Sequence, residues 1–419
     1  MSKLIIQGGK KLEGEVCIHG AKNSALPILA ATLMCNGESI IHNCPSLLDV
    51  EASIKILEYL GCTVKKNGST VTVNSKNIIN SDIPENLMHE MRSSIIFLGA
   101  LLAQCKKTRL SFPGGCELGP RPIDLHISSL KKMGVTILEE HGFLNCSIKG
   151  KLKGSKIALS FPSVGATENI LLAAATSKGK TIITNAAREP EIVDLANFLI
   201  NCGAKIKGAG TDNIYIEGVT KLHPCEHIVI PDRIAASTFM AATAITCGDV
   251  FIKNINPKHL LTVLPMFEEA GCKIIINNDN IRIQNEKKLK GISTVRTMPY
   301  PGFPTDLQAP IMAMCTVANG TSVFVENIFE SRYKHVCELN RLGAKIAVEG
   351  KVAVVYGVNK LSGAVTHCPD LRGGAALVVA GLAADGTTEI LDIKHIDRGY
   401  DNIDKDLKAL GAGITRVKL

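Results

Sequence analysis

One pattern recurs six times along this 419-residue chain, at a spacing of about 70 residues. Each copy has an apolar stretch, then a glycine, then a strand-turn-strand signature. The copies read LEYLGCTVKKNGSTVTV, LKKMGVTILEEHGFLNCSI, LINCGAKIKGAGTDNIYIEG, FEEAGCKIIINNDNIRIQ, LNRLGAKIAVEGKVAVVYG and LKALGAGITRVK. Their marker glycines are Gly61, Gly134, Gly203, Gly271, Gly343 and Gly411. A second marker keeps the same period: an Ala-rich apolar run, a short turn and a β-branched strand. It appears as LMCNGESIIHN, LLAQCKKTRLSF, AATSKGKTIITN, AITCGDVFIKN, CTVANGTSVFVEN and LAADGTTEILD. Self-similarity at fixed spacing takes precedence over local motifs, because it dictates the architecture.

The apolar run before each glycine has helical spacing, as in Ile54, Ile56, Leu57 and Leu60, or Leu195, Phe198 and Leu199. A glycine just past a helix predicts a left-handed cap, where a Cβ would clash. The Val-, Ile- and Thr-rich stretches that follow, with Asn-Gly, Gly or Asn-Asp between them, predict hairpins. Each copy therefore reads as two helices and roughly four strands. A piece that size buries too little surface to stand alone, so neighbouring copies should pack together. Three copies make a domain of about 200 residues, and two such domains account for the chain. The expected fold class is α/β, six repeats in two domains.

Composition excludes several classes. Apolar residues make up 46%, enough for two cores, yet no uninterrupted apolar run approaches the roughly 18 residues that span a membrane. The N-terminal MSKLIIQGGKKLEGEV has no long apolar core, so no secretory signal is expected. The 14 cysteines form no C-x-x-C and no Cys/His set at zinc spacing, so no metal site is expected. Most are expected to act as small core residues inside apolar runs, as at Cys35, Cys105, Cys247 and Cys315. The net charge of +8 is spread over single residues and pairs. Aromatics are scarce and Trp is absent, so the basic, aromatic-interleaved stripe of a nucleic-acid binder is missing. Gly179-Lys180-Thr181 leads into a strand, and Gly208-Ala209-Gly210 lies in a hairpin, so neither is a phosphate loop.

Chemistry is expected where the copies stop resembling one another, and four segments break the pattern. In GAKNSALP, Lys22 opens a helix, where the macrodipole disfavours a cation unless an anion binds beside it. In FPGGCELGPRPID a loop with three glycines and three prolines interrupts the repeat. Such loops disproportionately carry function. Cys116 lies in it near Arg121, and cationic neighbours make a thiol reactive. In YPGFPTDLQ, Asp306 starts a helix; Thr305 competes with it as N-cap, which leaves Asp306 available as a general base. The C-terminal segments DLRGG and HIDRGY, with Arg332, supply arginines suited to bidentate grip on carboxylate or phosphate. The repeat by itself also fits a ring-shaped DNA clamp, which would need a basic helical face and no such loops.

GAKNSALPIL, PGGCELGPRPIDLH, NAAREPEIVDLANFL, FPTDLQ and HIDRGY together resemble the UDP-N-acetylglucosamine 1-carboxyvinyltransferase family, collinearly from about residue 4 to 418. The resemblance implies an inside-out α/β barrel of two domains, 21–230 and 1–20 plus 231–419, with three repeats in each. It implies transfer of the enolpyruvyl group of phosphoenolpyruvate to the 3′-hydroxyl of UDP-N-acetylglucosamine through a tetrahedral intermediate. Phosphate is released, and the step opens peptidoglycan synthesis in the cytoplasm. By similarity Lys22, Arg121 and Arg398 hold phosphoenolpyruvate, with Asn23, Arg372 and Asp370 nearby. Cys116 is the acid that protonates the methylene carbon, and Asp306 is the base at the acceptor hydroxyl. Arg92, the run Arg121, Pro122, Ile123, Asp124 and Leu125, the run Phe161, Pro162, Ser163 and Val164, and Ile328 match nucleotide-sugar contacts. Phe161-Pro162 falls in a variable part of that loop. No metal, cofactor, nucleic acid or obligate protein partner is implied. Alkylation of Cys116 by the epoxide fosfomycin is expected, and sensitivity that survives Cys116→Asp contradicts it. The sister family that makes 5-enolpyruvylshikimate 3-phosphate lacks the cysteine loop and carries serine where Asn23 follows Lys22.

Overall fold

The computed structural model describes residues 2–91, 93–112 and 123–418. Arg92, Cys116, Arg121 and Pro122 of the expected site lie outside the described residues. The first copy shows how the sequence builds its unit. Helix α1 (Lys22–Thr32) buries Ser24 through Thr32. A turn leads to the strand Glu38–His42, and an outer helix Leu48–Tyr59 follows. Gly61 has φ +105° just past that helix. The hairpin Thr63–Asn67 and Thr70–Asn74 then returns alongside Glu38–His42. All six marker glycines have φ between +88° and +105°, as a helix-ending glycine requires.

The second marker is in every case an inner helix feeding a strand. The inner helices after α1 are α2 (Phe97–Gln104), α3 (Val164–Ala175), α4 (Arg233–Ile245), α5 (Gln308–Cys315) and α6 (Leu371–Ala383). They are Ala-rich and almost wholly buried, because small side chains let helices approach closely on all sides. Described residues up to His19 and from Pro231 onward form one compact unit; those from Gly20 to Ile230 form the other. In the first, α4, α5 and α6 pack on one another inside three four-stranded sheets. In the second, α2 packs against α1 and α3 inside two four-stranded sheets and one of three strands. Each unit is thus an α/β barrel turned inside out, with helices within and sheets outside.

In five sheets the strand after the inner helix has a parallel neighbour on one side and an antiparallel one on the other. Glu226–Ile228 closes the first copy's sheet against Glu38–His42, its residues pairing with ones 186 positions earlier in the chain. Glu13–Cys17 plays that part for the fourth copy, beside Asp249–Lys253. The sixth copy supplies one hairpin strand, Gly413–Lys418; Ser2–Gln7 lies between it and Thr387–Leu391, with Leu4 and Ile6 fully buried. In the second copy only the bridge Ile83–Leu110 takes the parallel position.

One expectation needs correction. Cys105 and Cys247 do not lie within apolar runs. Both are half-buried at helix ends, Cys247 with φ +52°, because the chain turns there toward a strand. The outer helices of the last three copies are single short segments, Leu264–Glu269, Val336–Arg341 and Ile403–Ala409, the first and third preceded by irregular or 3-10 turns.

Candidate functional site

Within the unit from Gly20 to Ile230, Lys22 is the first residue of α1, and Ala21 before it offers no side-chain cap. The Lys22 ammonium donates to Asp49 Oδ2 at 3.1 Å, and Asp49 is buried. The start of α1 is held by Asp194. Ser24 Oγ donates to Asp194 Oδ2, Ile230 N–H donates to the same oxygen at 3.2 Å, and His227 Nε2 lies 2.9 Å from Oδ1. Ala21 N–H in turn donates to Ile230 O at 2.7 Å. A cation against the helix dipole is therefore tolerated through one buried carboxylate and a rigid helix start. Asn23 beside it is half-buried.

Ile123 precedes the helix Asp124–Lys132, with Asp124 exposed in its first turn and Leu125 half-buried. That helix is fixed through His126, whose Nδ1 accepts from Asn169 Nδ2 at 2.8 Å. Asn169 on α3 also donates to Ile95 O and accepts from Gly99 N–H at 2.6 Å. Burial drives the His126 imidazole down to about 4, so the ring is neutral and can accept. Phe161 is 42% exposed, and Pro162 and Val164 are half-buried. Ser163 caps α3 by accepting from Ala166 N–H at 3.3 Å.

In the other unit Asp306 is the centre of a charged cluster. Its Oδ1 accepts from Arg332 Nη2 at 3.0 Å and its Oδ2 from Arg372 Nη2 at 2.9 Å. Both arginines are 2% exposed, whereas Asp306 is 28% exposed on its side chain. These arginines are not in surface salt bridges. Among the described residues, Arg372 Nε and Nη1 and Arg332 Nε have no hydrogen-bond partner. Burial alone would lower the Arg372 pKa, but Asp306 and Tyr400 outweigh it and raise it, so the guanidinium stays charged. Tyr400 packs its ring 5.4 Å from Arg372 and shares a 2.9 Å hydrogen bond with Thr238.

The competition between Thr305 and Asp306 for an N-cap resolves in favour of neither. Pro304 stands at that position without a side-chain cap, and Thr305 Oγ1 donates to Glu326 Oε2 at 3.0 Å. Asp370 is itself a cap, accepting from Arg372 N–H and Gly373 N–H at the start of α6. Ile328 N–H donates to Glu326 Oε1 at 2.8 Å. Arg398 ends the 3-10 segment Ile393–Arg398 and is half-buried. Its neighbour Asp397 is engaged by Arg416 at 2.9 and 2.8 Å, a structural pair.

Four supporting residues carried no sequence signal that was read: Asp49, Asp194, Glu326 and His335. Glu326, 1% exposed, ties Thr297, Thr305, Ile328 and Phe329 together. His335 is fully buried, and burial holds it down to about 4 despite Asp370 nearby, with Arg332 adding to the depression. Chemically, the Asp306 cluster offers an oriented carboxylate beside buried N–H donors that lack acceptors among the described residues, an arrangement suited to an anion and a hydroxyl together. Among the described residues no group of three or more His, Cys, Asp or Glu side chains is placed to hold a metal, and no helix is long and apolar enough to cross a membrane.

Residues 6–407 match the family model of EPSP synthase (3-phosphoshikimate 1-carboxyvinyltransferase). The chain is 52% identical, over the whole of both sequences, to UDP-N-acetylglucosamine 1-carboxyvinyltransferase 2 of Caldanaerobacter subterraneus subsp. tengcongensis. It is 50% identical, again over both full lengths, to UDP-N-acetylglucosamine 1-carboxyvinyltransferase of Geotalea uraniireducens. Among solved structures, the enolpyruvyl transferase NikO from Streptomyces tendae superimposes with a TM-score of 0.91 at 25% identity, covering 100% of this chain and 99% of that one. EPSP synthase from Acinetobacter baumannii gives 0.78 at 19% identity with full coverage of both, a likeness of fold. With half its residues shared over the full length of these relatives, the chain belongs to the UDP-N-acetylglucosamine 1-carboxyvinyltransferases, within the EPSP synthase family.

Proposed function

We propose that this chain transfers the enolpyruvyl group of phosphoenolpyruvate to the 3′-hydroxyl of UDP-N-acetylglucosamine, releasing phosphate, on the route to peptidoglycan. The observation that carries the reading is the 52% identity over the full length of a relative bearing that name. The Asp306 cluster supports it chemically. An acceptor hydroxyl must lose its proton as its oxygen attacks C2 of the enol, while C3 gains one. Asp306, oriented by Arg332 and Arg372 and partly exposed, is the carboxylate assigned to accept the hydroxyl proton. Cys116 is assigned as the acid at C3. The tetrahedral adduct then loses a proton from C3 as the C2–O bond to phosphate breaks, which restores the enol ether.

Lys22, Asn23, Arg121, Arg372 and Arg398 are assigned to phosphoenolpyruvate, whose three negative charges need cations and buried N–H donors. The unpartnered Nε and Nη1 of Arg372 and Nε of Arg332 favour such a ligand. Arg92, Ile123, Asp124, Leu125, the stretch 161–164 and Ile328 are assigned to the nucleotide sugar. The two units, divided at residues 20 and 230, are taken as the functional domains. The reading implies cytoplasmic action without metal, cofactor or obligate protein partner.

The test is phosphate release from phosphoenolpyruvate with either of two acceptors. Release with UDP-N-acetylglucosamine and none with shikimate 3-phosphate is expected. Release with shikimate 3-phosphate alone, or with neither, overturns the reading.

A further inference from the structure

Three thiols far apart in sequence meet inside the unit from Gly20 to Ile230. Cys202 Sγ lies 3.3 Å from Cys225 Sγ and 3.5 Å from Cys35 Sγ. All three are free cysteines. Cys35 and Cys202 are buried, and Cys225 is half-buried and so within reach of a small solute. His223 N–H donates to Cys202 O at 3.0 Å, so the segment entering Cys225 runs alongside the end of the helix Pro190–Asn201. Reaching a sulfur–sulfur bond of about 2.05 Å requires the Cys202–Cys225 pair to close by little more than an ångström.

The elements carrying these thiols are the ones that meet again at Asp194. Helix α1 bears Ser24 near its start and is followed by Cys35. The helix Pro190–Asn201 bears Asp194 and is followed by Cys202. The strand Glu226–Ile228 bears His227 and is preceded by Cys225. One tie is polar, through Ser24, Asp194 and His227; the other consists of sulfur atoms. The polar tie has a complete set of partners. The sulfur tie is weakly bonded: besides each other, Cys35 Sγ reaches Ala31 O at 3.6 Å and Cys225 Sγ reaches Phe198 O at 4.0 Å, both long contacts from a weak donor.

We propose that Cys225, Cys202 and Cys35 form a thiol oxidation site that takes hydrogen peroxide and stores the oxidation as a disulfide. The Cys225 thiolate attacks one peroxide oxygen, the O–O bond breaks, and sulfenic acid forms as the other oxygen leaves as water after taking up a proton. The Cys202 thiol then attacks the Cys225 sulfur, and a second water leaves as the disulfide forms. The peroxide gains the two electrons that the thiols lose. Cys35, in contact with Cys202, exchanges next: its thiolate attacks the Cys202 sulfur and releases Cys225 as a thiolate. The bond then sits between two buried sulfurs and pins the far end of α1, whose first residue is Lys22. The hydrogen bond from Cys202 holds Cys225 below the ordinary thiol value; burial opposes this, and His227 adds to the lowering. This favours Cys225 as the attacking group.

The full chain is treated with graded hydrogen peroxide, quenched with an alkylating agent under denaturing conditions, and digested for mass spectrometry. A dithiothreitol-sensitive cross-link joining Cys202 to Cys225 or to Cys35 is expected. It should form about tenfold faster than oxidation of the exposed Cys17 and Cys337. Cys225→Ser should abolish both cross-links, whereas Cys35→Ser should abolish only the one it takes part in. If Cys202 and Cys225 remain fully alkylatable at peroxide levels that oxidise Cys17 and Cys337, the proposal is overturned. A Cys35–Cys202 bond that forms at an unchanged rate in Cys225→Ala overturns the assignment of Cys225 as the point of attack. Because the cross-link is mapped in the unsubstituted chain, a variant that fails to fold leaves the first criterion intact.

Discussion

Asp306 owes its usefulness to its partners. A carboxylate with one guanidinium on each oxygen is fixed in orientation, and its partial exposure leaves it open to a ligand. Asp306→Asn keeps the shape but removes the carboxylate that bridges the buried Arg332 and Arg372. Turnover in the phosphate-release assay is expected to fall by roughly 10²–10⁴-fold, the usual cost of a positioned base. Buried Glu168 makes a separate prediction. Burial first, then the nearby Glu189 and Glu191, push its pKa well above 4.5. The folded chain then keeps a proton that the unfolded chain releases, so this residue costs stability as pH rises from 4.5 through its folded value. His126 works the other way. Held down to about 4 from 6.5, its contribution is present above 6.5 and lost as pH falls toward 4. In Glu168→Gln the first slope is removed. The variant's melting temperature should gain on that of the parent as pH rises above 4.5. The stability gap should grow by at most about 1.4 kcal/mol per pH unit, measured by thermal melts across that range.

At the scale of elements, the marker glycines share a conformation but not an environment. A Cβ on Gly61 would lie 2.5 Å from Asn77 O and 2.8 Å from Ile79 Cγ1, whereas one on Gly134 would meet open space. Gly134→Ala should therefore cost only the conformational penalty of about 1–2 kcal/mol. Gly61→Ala should add a packing penalty of about 1–3 kcal/mol to that. Denaturant midpoints of the two variants compare them directly, and equal losses would contradict the contacts. The helices, glycines and hairpins were legible because each rests on local rules of periodicity and backbone sterics. A further repeated signal went unread, the asparagine that ends the strands as HN, TN, KN and EN. Asn43, Asn185, Asn254 and Asn327 each donate from Nδ2 to a carbonyl at the end of the neighbouring parallel strand: Val229, Leu159, Ile18 and Thr297. Three of them adopt positive φ, which asparagine tolerates.

At the scale of the molecule, the unit containing residues 231–418 is completed by the first strand. Ser2–Gln7 pairs with Thr387–Leu391 on one side and Gly413–Lys418 on the other. Deleting residues 1–7 leaves Gly413–Lys418 without a neighbour and Thr387–Leu391 paired only with Val365–His367, and it removes the buried Leu4 and Ile6, each worth about 1.5–3 kcal/mol. Hydrogen exchange should show lost protection in those two strands and none in Glu38–His42 or Thr70–Asn74. The sequence by itself determined the repeat, the alternation of helix and hairpin, and the segments where the pattern breaks, because these follow from spacing and from backbone rules acting over a few residues. It also marked Lys22, Asp306 and the arginines as candidates. Only the tertiary structure decided that Asp49 partners Lys22, that Arg332 and Arg372 grip Asp306 rather than lie at the surface, and that Cys35, Cys202 and Cys225 touch. Those pairings join residues 23 to 167 positions apart, or 26 to 66 in the Asp306 cluster. At such separations no local periodicity acts, and proximity is set by how the inner helices and sheets close around their core.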